Sequence, residues 1–340
     1  MERRLPRLPA QRGRGRLLAA RHRLHPDEGS LPAPIRRVSP PVLRFAPSPN
    51  GRLHRGHAYS ALLNAALAAR LGGRLLLRIE DIDPVRSRPD LAAAIEADLA
   101  WLGLRFDGPV RRQSEHLPEY RADLAALAAR GLAYPCFCSR SAIAAAAVSA
   151  APADHGQDPV RRDPDGTPLY PGTCRHLAAT EVAARQAMGT PHTWRLDMAR
   201  ALREPARAGE PGAYAYLAFD SQGAVRTVPA DPARWGDAVI ARRDVPTSYH
   251  LAVVHDDAAQ GVTHVVRGQD LEAATDLHLL LQRLLGLPSP RYHHHALIRD
   301  PAGEKLAKSK GSQSLQDLRA EGVTPAAIRA QLGFPVPGVA

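Results

Sequence analysis

The sequence predicts an α/β protein built on a doubly wound, mostly parallel sheet that a long insertion interrupts. Between Val42 and Gly103, short apolar runs alternate with helical patterns over short links, which is the signature of strand–helix units. One of these runs, GRLLLRIED at 73–81, is nearly continuously apolar, as a strand covered on both faces requires. From about Pro109 to Arg226 the pattern loosens into helices broken by Pro- and Gly-rich stretches, and after that it returns.

The elements follow in order. VLRFA, from Val42, reads as a strand stopped by the Pro-Ser-Pro-Asn-Gly cluster at 47–51. HRGHAYSALLNAALAARLGG then reads as a helix with Leu62, Ala65, Ala66 and Ala69 on one face and Gly72-Gly73 as its stop. After the LLLRI strand, Pro89-Asp90 opens a second helix, DLAAAIEADLAWLGL, ending near Gly103. Residues 42–108 are thus expected to form the first half of a nucleotide-binding domain, with 109–226 as an inserted subdomain holding all three cysteines. The second half is expected over 227–300, where DAVIARRD, SYHLAVVHDDAAQ and THVVRGQDL restore the pattern, the last continuing into a helix from about Leu271 to Leu285. Residues 301–340 hold a lysine-bearing loop and then a segment with room for two short helices.

Composition narrows the function classes. A chain of 340 residues, 44% apolar and 23% charged, has the make-up of a globular enzyme. Without an apolar run of 18 residues, no membrane span is expected. Three cysteines, an odd number in a long chain, do not suit a disulfide framework; a reducing cytoplasm and a monomer are expected. The net charge of +11 is concentrated at the start, where residues 1–41 carry ten arginines against Glu2, Asp27 and Glu28. This segment has no apolar core of a secretory signal and is expected to be a disordered basic leader. An organelle-targeting segment, a nucleic-acid-binding arm and an upstream start-codon artefact are the alternatives.

Two stretches carry chemistry. In RFAPSPNGRLHRGH, His54 and His57 bracket Gly56 where a strand gives way to a helix. Backbone N–H groups and the helix dipole favour phosphate at such a place, and a glycine lets a planar ligand approach the backbone. A metal pair or incidental histidines fit the spacing as well. The second stretch, GEKLAKSKG at 303–311, contains Lys305, Lys308 and Lys310, the only lysines among 45 basic residues. Its plainest reading is a solvated basic loop.

Together these stretches resemble the paired signatures of class I aminoacyl-tRNA synthetases. RFAPSPNGRLHRGH is similar to the RFAPSPTG-x-LH-x-GH signature of glutamyl-tRNA synthetases, with Asn50 at a usual Thr and His54-Arg55-Gly56-His57 at the HIGH tetrapeptide. An HxGH tetrapeptide also occurs in other nucleotidyltransferases; the preceding RFAPSP points to glutamate. Lys305-Leu-Ala-Lys-Ser309 resembles KMSKS, with Leu306 and Ala307 at the Met and Ser positions. The resemblance covers about residues 42–330 and implies a class I synthetase, Rossmann-like parallel sheet with an inserted zinc- or acceptor-binding subdomain and a short helical C-terminal segment. It also implies adenylation, in which a carboxylate attacks the α-phosphate of ATP and pyrophosphate leaves, with Mg2+ accompanying ATP. His54, Gly56, His57 and Lys308 would bind ATP, and His54, His57, Lys305 and Lys308 would be catalytic.

The resemblance further implies a glutamate pocket. Glu80, whose residue-level reading with Asp81 and Asp83 is turn formation and capping, would receive the substrate ammonium. Arg44, Phe45, Ala46, Pro47 and Ser48 would lie in the same pocket, and Tyr249 and Arg267 match the remaining glutamate-binding positions. An arginine near the γ-carboxylate would discriminate against neutral glutamine. His250, His255 and the triplet His293-His294-His295 stay ambiguous, and the triplet reads as a polar strand without assigned chemistry.

On spacing alone, Cys136, Cys138 and Cys174 fit free cysteines as well as a metal site. The resemblance implies one structural Zn2+, because a C-x-C…Y-x3-C set, here completed by Tyr170, is found in glutamyl-Q tRNA(Asp) synthetases, short relatives of glutamyl-tRNA synthetase. Here 31 residues separate Cys138 from Tyr170, a longer interval than that family suggests, and His155 and His176 compete as fourth ligand. The chain also stops at Ala340, whereas an anticodon-binding domain after KMSKS needs well over a hundred residues. The missing domain and the cysteine pattern favour the short family, whose members activate L-glutamate with ATP and transfer it to the queuosine base in the anticodon loop of tRNA(Asp). The alternatives are a truncated glutamyl-tRNA synthetase charging a tRNA 3′ end and a non-catalytic RNA-binding paralogue.

Overall fold

The computed structural model describes residues 40–149, 160–206, 212–298 and 313–334. Strand β1 (Val42–Phe45) leads into helix α1 (Arg55–Arg70), β2 (Arg74–Ile79), α2 (Pro89–Trp101) and the short β3 (Arg111–Arg112). Helix α3 (Leu117–Ala129) carries the chain to β4 (Ala133–Cys136), α4 (Arg140–Ser149), α5 (Ala179–Ala187), β5 (Thr193–Leu196) and α6 (Met198–Ala201). The hairpin β6 (Ala215–Phe219) and β7 (Val225–Pro229) precedes β8 (Val239–Ala241), α7 (Tyr249–Ala259), β9 (His264–Gly268), α8 (Ala274–Leu285) and β10 (Arg291–His295). Two short helices, α9 (Leu315–Ala320) and α10 (Pro325–Gln331), follow.

Seven strands form one sheet in the order β3-β2-β1-β9-β10-β6-β7, parallel apart from β7, which runs antiparallel to β6. Strand order reverses at β1, which lies between β2 and β9. In open α/β sheets, the crevice beyond the carboxyl ends of the strands at such a reversal takes the ligand. A second, antiparallel sheet has the order β4-β5-β8.

Strand pairing departs from the expected partition in two ways. From the 109–226 stretch, β3 pairs with β2 and β6 pairs with β10, so both ends of the presumed insertion build the main sheet. Conversely β8, expected in the returning half, closes the small sheet against β5. The partners are remote, with Tyr292 opposite Ala218, and no local pattern encodes such pairing.

Alternation along the strands sorts residues onto two faces. Phe45 turns into an apolar core with Leu53, Ala58, Leu62, Leu77, Ile79, Ile95 and Leu99, which Leu315, Leu318 and Ile328 of the last two helices complete. The buried face of α1 is Ala58, Ala61, Leu62, Asn64, Leu67 and Ala68, whereas Ala66 and Ala69 are exposed. In so alanine-rich a helix several faces are equally apolar, and docking on the sheet chooses among them.

The opposite face of β1 and β2 is charged. Arg44 Nε lies 3.0 Å from Asp257 Oδ1, and Arg78, fully buried, meets Asp257 at 2.8 Å, Glu80 at 3.3 Å and Asp256 at 3.8 Å. Asp256 also accepts from Arg111 at 2.7 Å, Gln113 at 2.7 Å and Tyr120 at 2.9 Å. One ionic network therefore fastens α7 beneath β1, β2 and β3 and against α3. Deleting a single member of such a buried set costs about 3–5 kcal/mol, because an uncompensated charge stays behind. Among the described residues, no helix is long and apolar enough to cross a membrane.

Candidate active site

After Phe45 the chain turns through 46–51 to reach α1. The Glu80 N–H donates to the Pro47 carbonyl at 3.0 Å, which pins this turn to the end of β2. His54 is the N-cap of α1. Its Nδ1 accepts the Gly56 N–H at 3.1 Å, and His57 Nδ1 accepts the His54 N–H at 3.2 Å, with the two rings 3.9 Å apart. Because both Nδ1 atoms accept, each neutral ring carries its proton on Nε2. Two imidazole N–H groups thereby join the backbone N–H groups and dipole of the first turn, a set complementary to phosphate. A Cβ on Gly56 would press within 3.0 Å of His54 Cε1, so the glycine is needed first to admit the capping ring, and only then any ligand.

Glu80 directly follows β2, Arg44 lies on β1, Arg267 on β9 and Tyr249 opens α7. A cavity of about 360 Å³ opens here, and of the expected residues Ser48, Glu80 and Tyr249 line it. Pro47 is fixed in this turn by the backbone contact just described, and Ala46 precedes it in the same turn. Phe45 is a correction: alternation sends its ring into the core on the other face of the sheet, leaving only its main chain toward the crevice. Burial pushes the Glu80 carboxyl up, with Arg78 and Arg44 pulling against it.

The arginines differ in kind. Arg44 is neutralised by Asp257. Arg267, 5% exposed, is held by neutral groups: the Tyr249 hydroxyl at 3.4 Å, His278 Nδ1 at 3.2 Å, Thr275 Oγ1 at 2.7 Å and His294 Nε2 at 3.4 Å. Among the described residues, no carboxylate lies within ion-pair distance of it. Burial, then the charge of Arg267, holds His250 down to about 4 and His294 to about 3, and lowers His278 well below the ordinary value. The histidines therefore stay neutral, and the Arg267 charge remains uncompensated and out of water.

Lys305 and Lys308 lie outside the described residues, as do Lys310, His155 and residues 1–39 of the leader. Both flanks of the lysine stretch are described. His295 Nε2 meets Ser60 Oγ of α1 at 3.1 Å, Ser314 forms an antiparallel bridge with His54, and the Leu315 N–H donates to the Leu53 carbonyl at 2.8 Å. The chain thus leaves from and returns to the amino-terminal turns of α1.

The three cysteines come together at the end of the small sheet. Their sulfurs lie within 4.8 Å of one another, with Cys138 Sγ 3.5 Å from both Cys174 Sγ and the Tyr170 hydroxyl. Tyr170 also accepts the Cys174 N–H at 2.8 Å, and the Arg195 guanidinium lies 4.1 Å from its ring centroid. In a tetrahedral zinc site with bonds of about 2.3 Å, ligand sulfurs stand about 3.8 Å apart, so this set could hold a metal ion with little rearrangement. Burial, then hydrogen bonding with the thiols, pushes the Tyr170 phenol well up. His176 is exposed and does not join the group.

Sequence reasoning missed Asp256, Asp257, Thr275 and His278, and left His250 and His294, which also surround Arg267, without a role. A signal existed for some of them. Thr275, His278 and Gln282 recur at helical spacing within a leucine-rich helix, and all three are buried; a buried polar stripe requires partners.

Residues 42–334 match the family model for tRNA synthetases class I (E and Q), catalytic domain. The chain is 48% identical over 296 residues to the glutamyl-Q tRNA(Asp) synthetase of Rhodobacter capsulatus, covering 86% of this chain and 100% of that one. It is 41% identical over 305 residues to the protein of that name from Symbiobacterium thermophilum, covering 86% and 85%. Among solved structures, the glutamate-tRNA synthetase of Elizabethkingia anophelis is similar with a TM-score of 0.61 at 28% identity, over 80% of this chain and 53% of that one. The chain thus spans about half the length of that longer synthetase. The fold is the class I synthetase sheet that the motifs led one to expect, and the chain belongs to the glutamyl-Q tRNA(Asp) synthetase family of class I synthetase-like ligases.

Proposed function

We propose that the protein activates L-glutamate with ATP, independently of tRNA, and transfers the glutamyl group to the queuosine base in the anticodon loop of tRNA(Asp). In the first step the α-carboxylate attacks the α-phosphorus, the bond to the β-phosphate breaks, and pyrophosphate leaves. In the second a nucleophile of the base attacks the acyl carbon and AMP leaves. The observation that carries the choice of amino acid is Arg267, a buried cation whose described partners are all neutral and which bonds Tyr249, a residue that lines a cavity together with the buried carboxylate Glu80. An amino acid with a side-chain carboxylate supplies the missing anion to Arg267 and Tyr249, and offers its ammonium to Glu80.

Adenylation needs reactants held in line and charge stabilised on phosphate oxygens. His54 and His57, with Nε2–H donors fixed by the reciprocal cap, and the first turn of α1 at Gly56 meet the ATP phosphates from one side. Lys305 and Lys308 supply positive charge to the same phosphates; a compact ammonium follows a moving phosphate better than a planar guanidinium does. Arg44, neutralised by Asp257, shapes the pocket floor, and Phe45, Ala46, Pro47 and Ser48 supply its main-chain and hydroxyl walls. Mg2+ accompanies ATP. Cys136, Cys138, Tyr170 and Cys174 would hold one structural Zn2+, which would tie the end of β4 to the 170–174 turn. The protein works as a cytoplasmic monomer.

The test is ATP–pyrophosphate exchange. Exchange that requires glutamate and proceeds without tRNA is the expected result, and its absence until tRNA is added would overturn the proposal.

A further inference from the structure

Helix α8 brings two side chains with no assigned role against Arg267. The guanidinium donates from Nη1 to His278 Nδ1 at 3.2 Å and from Nη2 to Thr275 Oγ1 at 2.7 Å. Arginine only donates, so the tautomers of its neighbours follow one after another. His278 accepts at Nδ1 and carries its proton on Nε2, which donates to His250 Nδ1 at 3.2 Å. His250 therefore carries its proton on Nε2 and lines the cavity beside Glu80 and Tyr249. On the other side, the Thr275 hydroxyl accepts from Arg267 and donates to His294 Nε2 at 3.1 Å. His278 is 2% exposed and Thr275 fully buried, so water does not substitute for either.

Arg44 and Arg78, on the same face of the sheet, are held by aspartates that also cancel their charge. Arg267 is held instead by four groups that leave its charge intact. We infer that His278 is a positioning residue that sets the choice of amino acid: it fixes the Arg267 guanidinium by accepting a hydrogen bond while contributing no negative charge, so that only a substrate carboxylate completes the site. This rests on Arg267 meeting the substrate side chain, and its test separates the two ideas.

Glutamate and glutamine are offered to the wild-type protein and to His278→Gln and His278→Glu, by calorimetric binding and by exchange kinetics. Gln and Glu have one shape, and each presents an oxygen acceptor; they differ in charge. His278→Gln should keep the glutamate KM within about fivefold, whereas His278→Glu, carrying its own counter-ion to Arg267, should raise it at least about 100-fold and erase the preference over glutamine. The KM for ATP should stay within about threefold in both, since a general loss of structure would move both constants. Identical behaviour of the two variants, or an equal rise in the ATP KM, would overturn the inference. Wild-type protein that fails to bind glutamate would instead overturn the proposed function and the inference together. A measurement on unaltered protein stands beside the variants: nitrogen-15 spectra of His278 should show a neutral ring protonated at Nε2, and an imidazolium or an Nδ1–H tautomer would refute the assignment.

Discussion

Replacing Arg267 by glutamine removes the one described buried cation that has no counter-ion. Its size follows from the site: the wild-type guanidinium is 5% exposed and makes hydrogen bonds to four neutral side chains, so the substrate carboxylate would be its only charge partner. Truncating one member of a buried, hydrogen-bonded charge pair costs about 2–5 kcal/mol, a fall of roughly thirty- to several-thousand-fold in kcat/KM for glutamate. The free protein should respond differently. Four hydrogen bonds are weakened, but an uncompensated buried charge disappears, and glutamine keeps an amide to pair with Thr275 or His278. Unfolding free energy is therefore expected to stay within about 1 kcal/mol of wild type. Exchange assays with glutamate and glutamine, beside urea denaturation, check both halves. Retention of the wild-type preference for glutamate, or a loss of stability as large as the loss of activity, would refute the reasoning.

Three further outcomes follow from other groups. The Glu80 carboxyl, pushed up chiefly by burial, must be ionised to receive an ammonium, so the KM for glutamate should rise as pH falls while still above the ordinary carboxylate value of 4.5; a KM flat down to that value would count against Glu80. Metal analysis should find about one zinc per chain, lost in Cys138→Ser together with thermal stability, while tRNA-independent exchange largely survives because the thiols gather at the end of the small sheet; full stability without metal would argue against a structural ion. His255 bonds Asp123 at 2.6 Å through Nδ1 and Glu119 at 2.9 Å through Nε2, a geometry that needs both nitrogens protonated, and its value is raised, first by the bond to Asp123. Tying α7 to α3, it contributes stability that is complete below 6.5 and is lost as pH rises through the raised value; Tm should decline over that interval in wild type and less so in His255→Gln.

What was legible in the sequence was local. The strand at Val42, the helix behind His54 and the double-sided strand that runs up to Glu80 are each written in consecutive residues, and the His54–His57 motif is bounded by the same few positions. Charge and burial at long range were not legible. Nothing near Asp256 and Asp257 says that they lie under Arg44 and Arg78, because that contact joins residues 179 and 213 positions apart. The strand β6 failed to declare its sheet for the same reason: AYLAF is a plausible strand, but its partner β10 lies far downstream. Phe45 was assigned to the pocket with its neighbours, although a strand sends alternate side chains to opposite faces. The His293-His294-His295 triplet looked uniform, yet its members diverge, with His294 reaching Arg267, His295 reaching Ser60, and His293 Nδ1 lying 2.8 Å from the Phe219 carbonyl.

The central claim is the acceptor, and incubation of purified tRNA(Asp), with and without queuosine, with ATP and labelled glutamate tests it most directly. Label confined to the queuosine-bearing tRNA, and recovered on its anticodon fragment after nuclease digestion, is the predicted result. Label esterified to the 3′-terminal adenosine, or transferred equally to tRNA lacking queuosine, would contradict it.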